Sequence, residues 1–336
     1  MNITRWGVLG VSKFAMTKVI PAMKQCTGAR ITAIASREAA RAREAAARMG
    51  IEKSYGSYEA LLADPEIDVI YNPLPNHLHV PMSIRAAEAG KHVLCEKPVG
   101  LNTTEVRELI AARDRHGVQI AEAFMIRTHP QWTAVVDLVR SGAVGELRAV
   151  HTAFGYFNRD PGNIRNKADI GGGALMDIGC YGVYLSRWLF GGEPRRVVAL
   201  VERDAEFGTD RLTSAMLDFA GGQASFVCGT QQVPFQRVQI LGSKARIEIQ
   251  VPFNAIPGER MIYRIDDGSD LRGGGARREE AAACDQYTIQ GDVFSEAVRG
   301  ERAVAVPLED AFGNMAVIEA LFASAAQGGW ATPAAR

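Results

Sequence analysis

Glu96, Lys97 and Pro98 form a short polar segment that could place a cation at the end of a buried strand. They follow directly on His92–Cys95, a run that predicts a strand. Pro98 restricts the exit of the chain and removes one backbone donor. A lysine ammonium here could stabilise a developing negative charge. The alternative is a surface lysine paired with Glu96, which would contribute little energy.

Asp177 and Tyr181 form a second candidate pair. They are four residues apart, so on a helix both side chains lie on the same face. A phenol with its ordinary pKa of about 10 is a poor base at neutral pH unless a cation stabilises the phenolate, and Lys97 could be that cation. The alternative is that Tyr181 and Tyr184 simply pack their helix against a sheet.

The turn after the first predicted strand has the small residues that a dinucleotide site requires. Aligned to G-x-G-x-x-G/A, the segment gives Gly10, Ser12 and Ala15, so serine replaces the second glycine, and Lys13 and Phe14 complete the turn. Small residues let backbone amides and a helix N-terminus approach a pyrophosphate. The pattern is degenerate, and an ordinary strand-to-helix turn would look similar.

Basic residues follow the second predicted strand, where an NAD site usually has an acidic residue for the ribose 2′-hydroxyl. The chain has Ser36-Arg37 there, with Arg41 one turn later. A guanidinium can pair with a 2′-phosphate through charge-assisted, bidentate hydrogen bonds. We therefore predict NADP as the cofactor and leave NAD open. The alternative is that both arginines only lie on a solvated helix start beside Glu38.

The elements that must position these residues in the first part of the chain are short β-branched runs alternating with Ala-rich helical patterns. This rhythm is typical of βαβ units, and right-handed crossovers would give a doubly wound sheet with ligands at the carboxyl ends of its strands. We predict an α/β Rossmann domain over residues 1–124. Its predicted strands are Arg5–Leu9, Arg30–Ser36, Val69–Asn72, His92–Cys95 and Gln119–Glu122, and its helices are Glu38–Met49, Pro81–Ala89 and Thr103–His116.

The pattern changes after about residue 125, where long strand-like stretches follow a single helix. We predict an α+β domain over residues 125–336, with a mixed, largely antiparallel open sheet that serves substrate binding and, through its open face, oligomerisation. The segment Arg272–Glu280, rich in glycine and charge, predicts an exposed loop. The predicted helix is Pro130–Ser141, and the predicted strands are Leu147–Tyr156, Arg196–Glu202, Thr213–Phe219, Gln223–Thr230, Val238–Leu241 and Arg246–Gln250.

Composition narrows the classes of function. The chain of 336 residues suits two domains, and Lys+Arg and Asp+Glu both number 38, so charge gives no reason to expect nucleic acid or an anionic membrane as partner. The five cysteines are scattered without a CxxC pair, which is typical of free thiols in a reducing cytoplasm. Since no basic segment followed by an apolar run is seen at the start and no run of about 20 apolar residues occurs, we expect a soluble, cytoplasmic protein. The six histidines lack ligand spacing, so no metal site is predicted.

The strand that ends in Glu96-Lys97-Pro98 resembles the hallmark of the glucose-fructose oxidoreductase, inositol dehydrogenase and rhizopine catabolism (Gfo/Idh/MocA) family. The resemblance extends through Tyr71–His77 and Gly171–Tyr181 and covers nearly the whole chain. It implies that Lys97 contacts the reacting hydroxyl and assists proton transfer, and that Tyr181 is the acid/base. Many members have histidine at the position of Tyr181; the tyrosine form is similar to the sugar and dihydrodiol dehydrogenase branch.

The same resemblance adds further candidate residues. The loop after the fourth strand is expected to line the nicotinamide end of the cofactor, with Pro73, Leu74, Asn76 and His79 as candidates and Glu96 beside them. Arg165 resembles a substrate-proximal position, although a plain surface arginine fits nearly as well.

The expected activity is hydride transfer between NADP and carbon 1 of an aldose such as xylose or glucose, by a homodimer or homotetramer. Three alternatives remain open: a reductase of a keto-sugar, free or nucleotide-linked, a trans-dihydrodiol dehydrogenase, and a non-catalytic NADPH sensor. Both Lys97 and Tyr181 are present. A sensor has no need of a proton-transfer pair, so this argues against the sensor.

Overall fold

The first sheet of the computed structural model, which describes residues 3–336, contains six parallel strands. Its strands are β1 (Thr4–Leu9), β2 (Ala29–Ala35), β3 (Lys53–Tyr55), β4 (Val69–Asn72), β5 (His92–Cys95) and β6 (Ile120–Glu122). The order β3-β2-β1-β4-β5-β6 reverses direction between β1 and β4. This is the point at which doubly wound sheets bind ligands, so the predicted Rossmann fold is confirmed.

The helices of this part connect the parallel strands. They are α1 (Ile20–Met23), which continues a π-helical turn at Ala15–Val19, α2 (Ala39–Met49), α3 (Tyr58–Leu62), α4 (His79–Glu88) and α5 (Thr103–His116). All four residues of β4 are buried, as expected of a strand covered on both faces.

The second sheet contains eight strands. They are β7 (Leu147–Phe157), β8 (Arg196–Arg203), β9 (Asp210–Phe219), β10 (Gly222–Gly229), β11 (Gln231–Gly242), β12 (Arg246–Ile249), β13 (Ile262–Asp266) and β14 (Ala276–Glu280). Their order is β14-β13-β12-β11-β7-β10-β9-β8. Only the β7–β10 pair within this described sheet is parallel, which confirms the mixed, largely antiparallel prediction.

In the chain, one helix precedes the strands of this sheet, one lies between β7 and β8, and two follow β14. They are α6 (Pro130–Arg140), α7 (Cys180–Phe190), α8 (Gln286–Val298) and α9 (Leu308–Gln327), and a π-helical turn at Leu175–Gly179 leads into α7. α7 packs very closely on β10: a Cβ atom at Gly182 would lie 2.9 Å from the Phe226 ring, and one at Gly179 would lie 2.8 Å from Cys228 Sγ. Both positions therefore require glycine.

Packing divides the described chain into two units. The first reaches as far as Thr128 and includes Asp285–Phe312, and the second comprises His129–Cys284 and the segment after Phe312. We predicted a single boundary near residue 124, whereas the contacts place Asp285–Phe312 with the first unit. Among the described residues, none of the helices combines the length and apolar content needed to cross a bilayer.

The prediction of an exposed loop at Arg272–Glu280 was wrong for its second half. Ala276–Glu280 pairs with β13 as the edge strand β14, although four of its five residues are exposed. Four of its five residues are charged, so the strand shows no apolar alternation and periodicity cannot reveal it.

Candidate active site

The turn after β1 has the backbone that the cofactor prediction requires. Gly10 has φ of 80°, a left-handed conformation, and a Cβ atom there would lie 2.9 Å from the Leu74 side chain. Ser12 Oγ accepts a hydrogen bond of 3.1 Å from the Ala15 amide, so serine in place of the second glycine caps the following helix. Lys13 is exposed and Phe14 is half-buried. The turn is small at Gly10 and fits a closely bound pyrophosphate.

A basic cluster lies at the end of β2. Ser36 is buried, and its Oγ accepts a hydrogen bond from the Glu38 amide, whereas Arg37 and Arg41 are exposed. Arg41 Nη2 lies 3.4 Å from the Val11 carbonyl oxygen, so it reaches back to the glycine turn. A cluster of exposed guanidinium groups here fits the predicted 2′-phosphate.

Tyr58 is a neighbour of this cluster that sequence analysis missed. Burial raises the pKa of its phenol, and the positive charges of Arg37 and Arg41 oppose that shift, so both guanidinium groups lie near the ring. Its hydroxyl would lie 3.7 Å from a Cβ atom at Gly10. The signal available in the sequence was a lone tyrosine at a short helix start, which is unremarkable by itself.

The loop after β4 is held by two buried polar side chains. Asn72 Nδ2 donates to the His79 carbonyl (3.0 Å) and to Ser83 Oγ (3.1 Å). His79 is 1% exposed, and its ring nitrogens lie 2.7 Å from the Leu74 oxygen and 2.8 Å from the Pro98 oxygen. Burial lowers the pKa of His79 to about 4, although the two carbonyl groups oppose this shift.

His79 therefore connects the loop after β4 to the loop after β5. Pro73 and Leu74 are buried in the first of these loops, and Asn76 is half-buried at its end. Both ring nitrogens of His79 already face carbonyl groups, so the side chain supports the loops. A direct contact between His79 and a cofactor stays a prediction.

The segment that carries Lys97 is fixed on both sides. The Glu96 amide donates to the Asn72 carbonyl (3.0 Å), and Glu96 Oε1 accepts a hydrogen bond of 2.7 Å from the buried hydroxyl of Tyr71. On the other side, the Val99 amide donates to the carboxylate of Glu122, a buried residue at the end of β6 (2.8 Å). Lys97 itself is half-buried. Tyr71 and Glu122 are supporting residues that were not among the candidate site residues predicted from the sequence.

The returning helix α8 also contributes to this region. The ring of Tyr287, in its first turn, contacts Phe14 edge-on with centroids 5.6 Å apart. Burial and the nearby Glu96 carboxylate raise the pKa of Tyr287, so its phenol stays protonated. No motif or spacing in the sequence places Tyr287 beside Phe14.

Asp177, in the second unit, receives two hydrogen bonds at one carboxylate oxygen. The Tyr156 hydroxyl donates to Oδ2 at 2.6 Å, and Arg165 Nε donates to the same oxygen at 2.7 Å. The structure thus brings together the candidate residues Arg165 and Asp177 and adds Tyr156 from β7. Contact of this group with a substrate stays a prediction. Burial and Asp177 raise the pKa of Tyr156, which keeps it a hydrogen-bond donor and excludes it as a base.

Tyr181 lies one helical turn after Asp177 and is 4% exposed. Its ring packs between Phe154 and Phe253, with centroids 5.8 Å and 5.0 Å away. The aromatic neighbours fix the ring and exclude water from it. The packing role that we held as the alternative is therefore real, and it is compatible with a chemical role for the hydroxyl.

A metal centre is not built into the described part of the chain. No group of three or more His, Cys, Asp or Glu side chains there could hold a metal ion.

Comparison with known proteins gives matches to both halves. Residues 4–124 match the oxidoreductase family model with an NAD-binding Rossmann fold, and residues 132–248 match the GFO/IDH/MocA C-terminal domain. An uncharacterised oxidoreductase of Rhizobium meliloti is 48% identical over 99% of this chain and 100% of its own. A D-xylose 1-dehydrogenase (NADP⁺) of Haloferax volcanii is 35% identical, covering 96% and 98%. The crystal structure of a Caulobacter crescentus aldose-aldose oxidoreductase complexed with glycerol has a TM-score of 0.90 at 28% identity, covering 98% and 100%.

Proposed function

Because this chain belongs to the Gfo/Idh/MocA family of oxidoreductases, we propose that it transfers hydride between NADP and carbon 1 of an aldose such as xylose or glucose. The observation that carries the proposal is the hydrogen-bonded group of Tyr156, Arg165 and Asp177 one turn before Tyr181. Recognition of a sugar needs fixed polar groups, since its hydroxyls must replace their hydrogen bonds to water. Similarity to a xylose dehydrogenase and to an aldose oxidoreductase supports the same substrate class.

The cofactor in this proposal is NADP, with NAD as the weaker ligand. Gly10 and Ser12 would hold the pyrophosphate, Ser36, Arg37 and Arg41 the 2′-phosphate, and the loops at Pro73–Asn76 and Glu96–Lys97 the nicotinamide end. Bound NADP⁺ would supply the hydride acceptor. The charges of Arg37 and Arg41 beside Tyr58 support the phosphate assignment, because an NAD site has no use for two cations there.

The protein's own part in the reaction is proton transfer and orientation. Tyr181 is proposed to take the proton of the reacting hydroxyl, and Lys97 to assist that same transfer. Asp177 and Arg165 would orient the sugar. Tyr156 would hold the Asp177 carboxylate in place, since its raised pKa keeps it a hydrogen-bond donor.

The experiment is a screen of NADP⁺ reduction over aldoses, polyols and dihydrodiols at neutral and alkaline pH. The proposal expects turnover of at least one aldose and loss of that turnover in Lys97→Met. Activity found solely with a keto-sugar and NADPH would replace the aldose assignment with a reductase. Activity with dihydrodiols alone would favour that alternative, and NADPH binding without turnover of any compound would favour a sensor.

The assembly in this proposal is a homodimer or homotetramer formed through the open face of the second sheet. Leu200 on β8 is 78% exposed, and it lines one concave surface of the sheet together with the exposed Met216 on β9 and Phe235 on β11. An exposed apolar area of this kind on a sheet face is typical of an interface. A reducing cytoplasm is the proposed location, since all five cysteines are free thiols.

A further inference from the structure

Asp210, the first residue of β9, is a buried carboxylate that belongs to none of the motifs described above. It is 1% exposed, and its Oδ2 accepts hydrogen bonds from the Leu175 amide (2.6 Å) and from Thr213 Oγ1 (3.1 Å). Leu175 begins the helical turn that contains Asp177 and leads into α7 with Tyr181. A carboxylate on the first amide of a helix satisfies an otherwise unpaired donor and complements the helix dipole.

The glycine turn before this helix is shaped around the same carboxylate. Gly173 has φ of 118°, and a Cβ atom there would lie 1.9 Å from Asp210 Oδ1. The Gly173 amide donates to the Arg165 carbonyl (2.9 Å), and the Asp177 amide donates to the Gly173 carbonyl (3.1 Å). Gly173 therefore connects Asp210 both to the segment of Arg165 and to the turn of Asp177.

We propose that Asp210 is a positioning residue that fixes the first turn of this helix and thereby the orientation of Asp177 toward Arg165 and Tyr156. The proposal deepens the proposed function and rests on it for the identity of the reaction. The effect of Asp210 on the start of the helix is independent of the proposed function. Asp210 touches neither substrate nor cofactor in this role.

Ionisation of Asp210 gives the role a pH dependence. Burial raises the pKa of Asp210 to about 6, while the Leu175 amide, the Thr213 hydroxyl and the charge of Arg203 oppose the shift. Asp210 also interacts with two other titratable groups of this unit, Cys228 and Tyr156, and the charge of Asp177 acts on both of them. As pH falls through about 6, Asp210 becomes neutral and its hold on the Leu175 amide weakens.

Ionisation of Asp210 should therefore raise the activity of the enzyme and lower its stability. Since the folded pKa lies above the unfolded value of 3.8, the folded state binds more protons between the two values, and the contribution of Asp210 to stability falls as pH rises through this window. The positioning of Asp177 improves over the same window. If Asp210 had a purely structural role, its ionisation would not lower the stability of the protein while raising its activity.

Asp210→Asn keeps the shape and removes the charge. At pH 8 we expect kcat with the best aldose to fall by about 10- to 100-fold, the usual effect of losing a hydrogen bond to a charged group, with unchanged affinity for the cofactor. At pH 5 the variant and the wild type should be nearly equal, so the acid limb of kcat near pH 6 disappears. The advantage in Tm of the wild type over the variant should shrink as pH rises.

Thr213→Val is a milder second variant, in case Asp210→Asn folds poorly. Removing the hydroxyl that stabilises the carboxylate should move the acid limb of kcat to higher pH. Asp204→Asn is the matched control: Asp204 is also buried in this unit and accepts from the amides of Glu206 and Phe207, but it holds the β8–β9 turn. Its kcat and pH profile should equal those of the wild type.

Hydrogen–deuterium exchange tests the proposal independently of activity. The peptide that covers residues 171–179 should exchange faster in Asp210→Asn than in the wild type at pH 8, and equally fast at pH 5. If the wild type turns over no aldose, the proposed function fails while this measurement still decides the role of Asp210. The proposal would be overturned if this peptide exchanged at the same rate in Asp210→Asn as in the wild type at pH 8. It would also be overturned if the pH profile of kcat were the same in both proteins.

Discussion

Replacing Tyr181 by phenylalanine separates the two roles that the structure allows this residue. The ring is 4% exposed and packs on Phe154 and Phe253, and phenylalanine keeps all of these ring contacts. Only the hydroxyl is lost, which should change the free energy of unfolding by about 0.5–1.5 kcal/mol. Loss of a general acid/base, in contrast, lowers kcat by about 10²–10⁴-fold.

The assay is the initial rate of NADP⁺ reduction with the best aldose, followed across the pH range, together with a thermal unfolding curve. In the wild type the oxidation rate should rise with pH, because a base must be deprotonated to accept the proton. This rise should be absent from Tyr181→Phe. Affinity for the cofactor should not change, since the substitution lies in the second unit.

Tyr184→Phe provides the matched control. Tyr184 lies on the same helix and is 1% exposed, so the substitution likewise removes one buried hydroxyl and keeps the ring. Its kcat should stay within about 3-fold of the wild type, because no acid/base group is lost. The reasoning is refuted if Tyr181→Phe also retains this level of activity. Tyr181 would then be a packing residue.

Three further predictions concern the cofactor, the assembly and the stability in acid. Arg37→Ala should lower the preference for NADP over NAD by about 10- to 100-fold in fluorescence titrations, whereas Arg43→Ala, at an exposed arginine of the helix α2 that follows Arg37, should leave it unchanged. Leu200→Lys should convert the oligomer to monomers in sedimentation velocity, and Leu271→Lys, at an even more exposed leucine in a loop, should not. The pKa of His79 is lowered to about 4 from 6.5, so this residue should remove about 3 kcal/mol of stability as pH falls from 7 to 4, and His79→Asn should show a smaller decline in urea unfolding.

The parallel half of the fold could be predicted from sequence because its strands are short buried runs. Val69–Asn72 and His92–Cys95 were predicted with the bounds that the structure has. β3 was missed because its three residues are only half-buried and carry no continuous apolar run. The long helix α9 was missed as well, since it is apolar on most sides and shows little amphipathic period.

The predicted site residues were those that carry a motif, and the missed ones are those that support it. Tyr71, Tyr156 and Glu122 each hold a motif residue or its neighbour through one hydrogen bond, at a separation of 21 to 25 residues. Two of these pairs join the ends of neighbouring strands of the first sheet, and the third joins β7 to the helical turn at Leu175–Gly179. Spacing within a single sequence does not encode these contacts.

Each glycine of the run Gly171-Gly172-Gly173 is required for a different structural reason. Gly171 has a left-handed backbone, with φ of 82°, and a Cβ atom at Gly172 would lie 2.6 Å from the Arg165 carbonyl oxygen. Gly173 leaves room for the carboxylate of Asp210, which is distant in sequence. A sequence pattern records that each residue is small, but it does not record which atom excludes a larger one. The three glycines therefore meet three separate requirements. Alanine at Gly173 should disturb the start of the helix, because the backbone there has φ of 118° and a Cβ atom would overlap the Asp210 carboxylate.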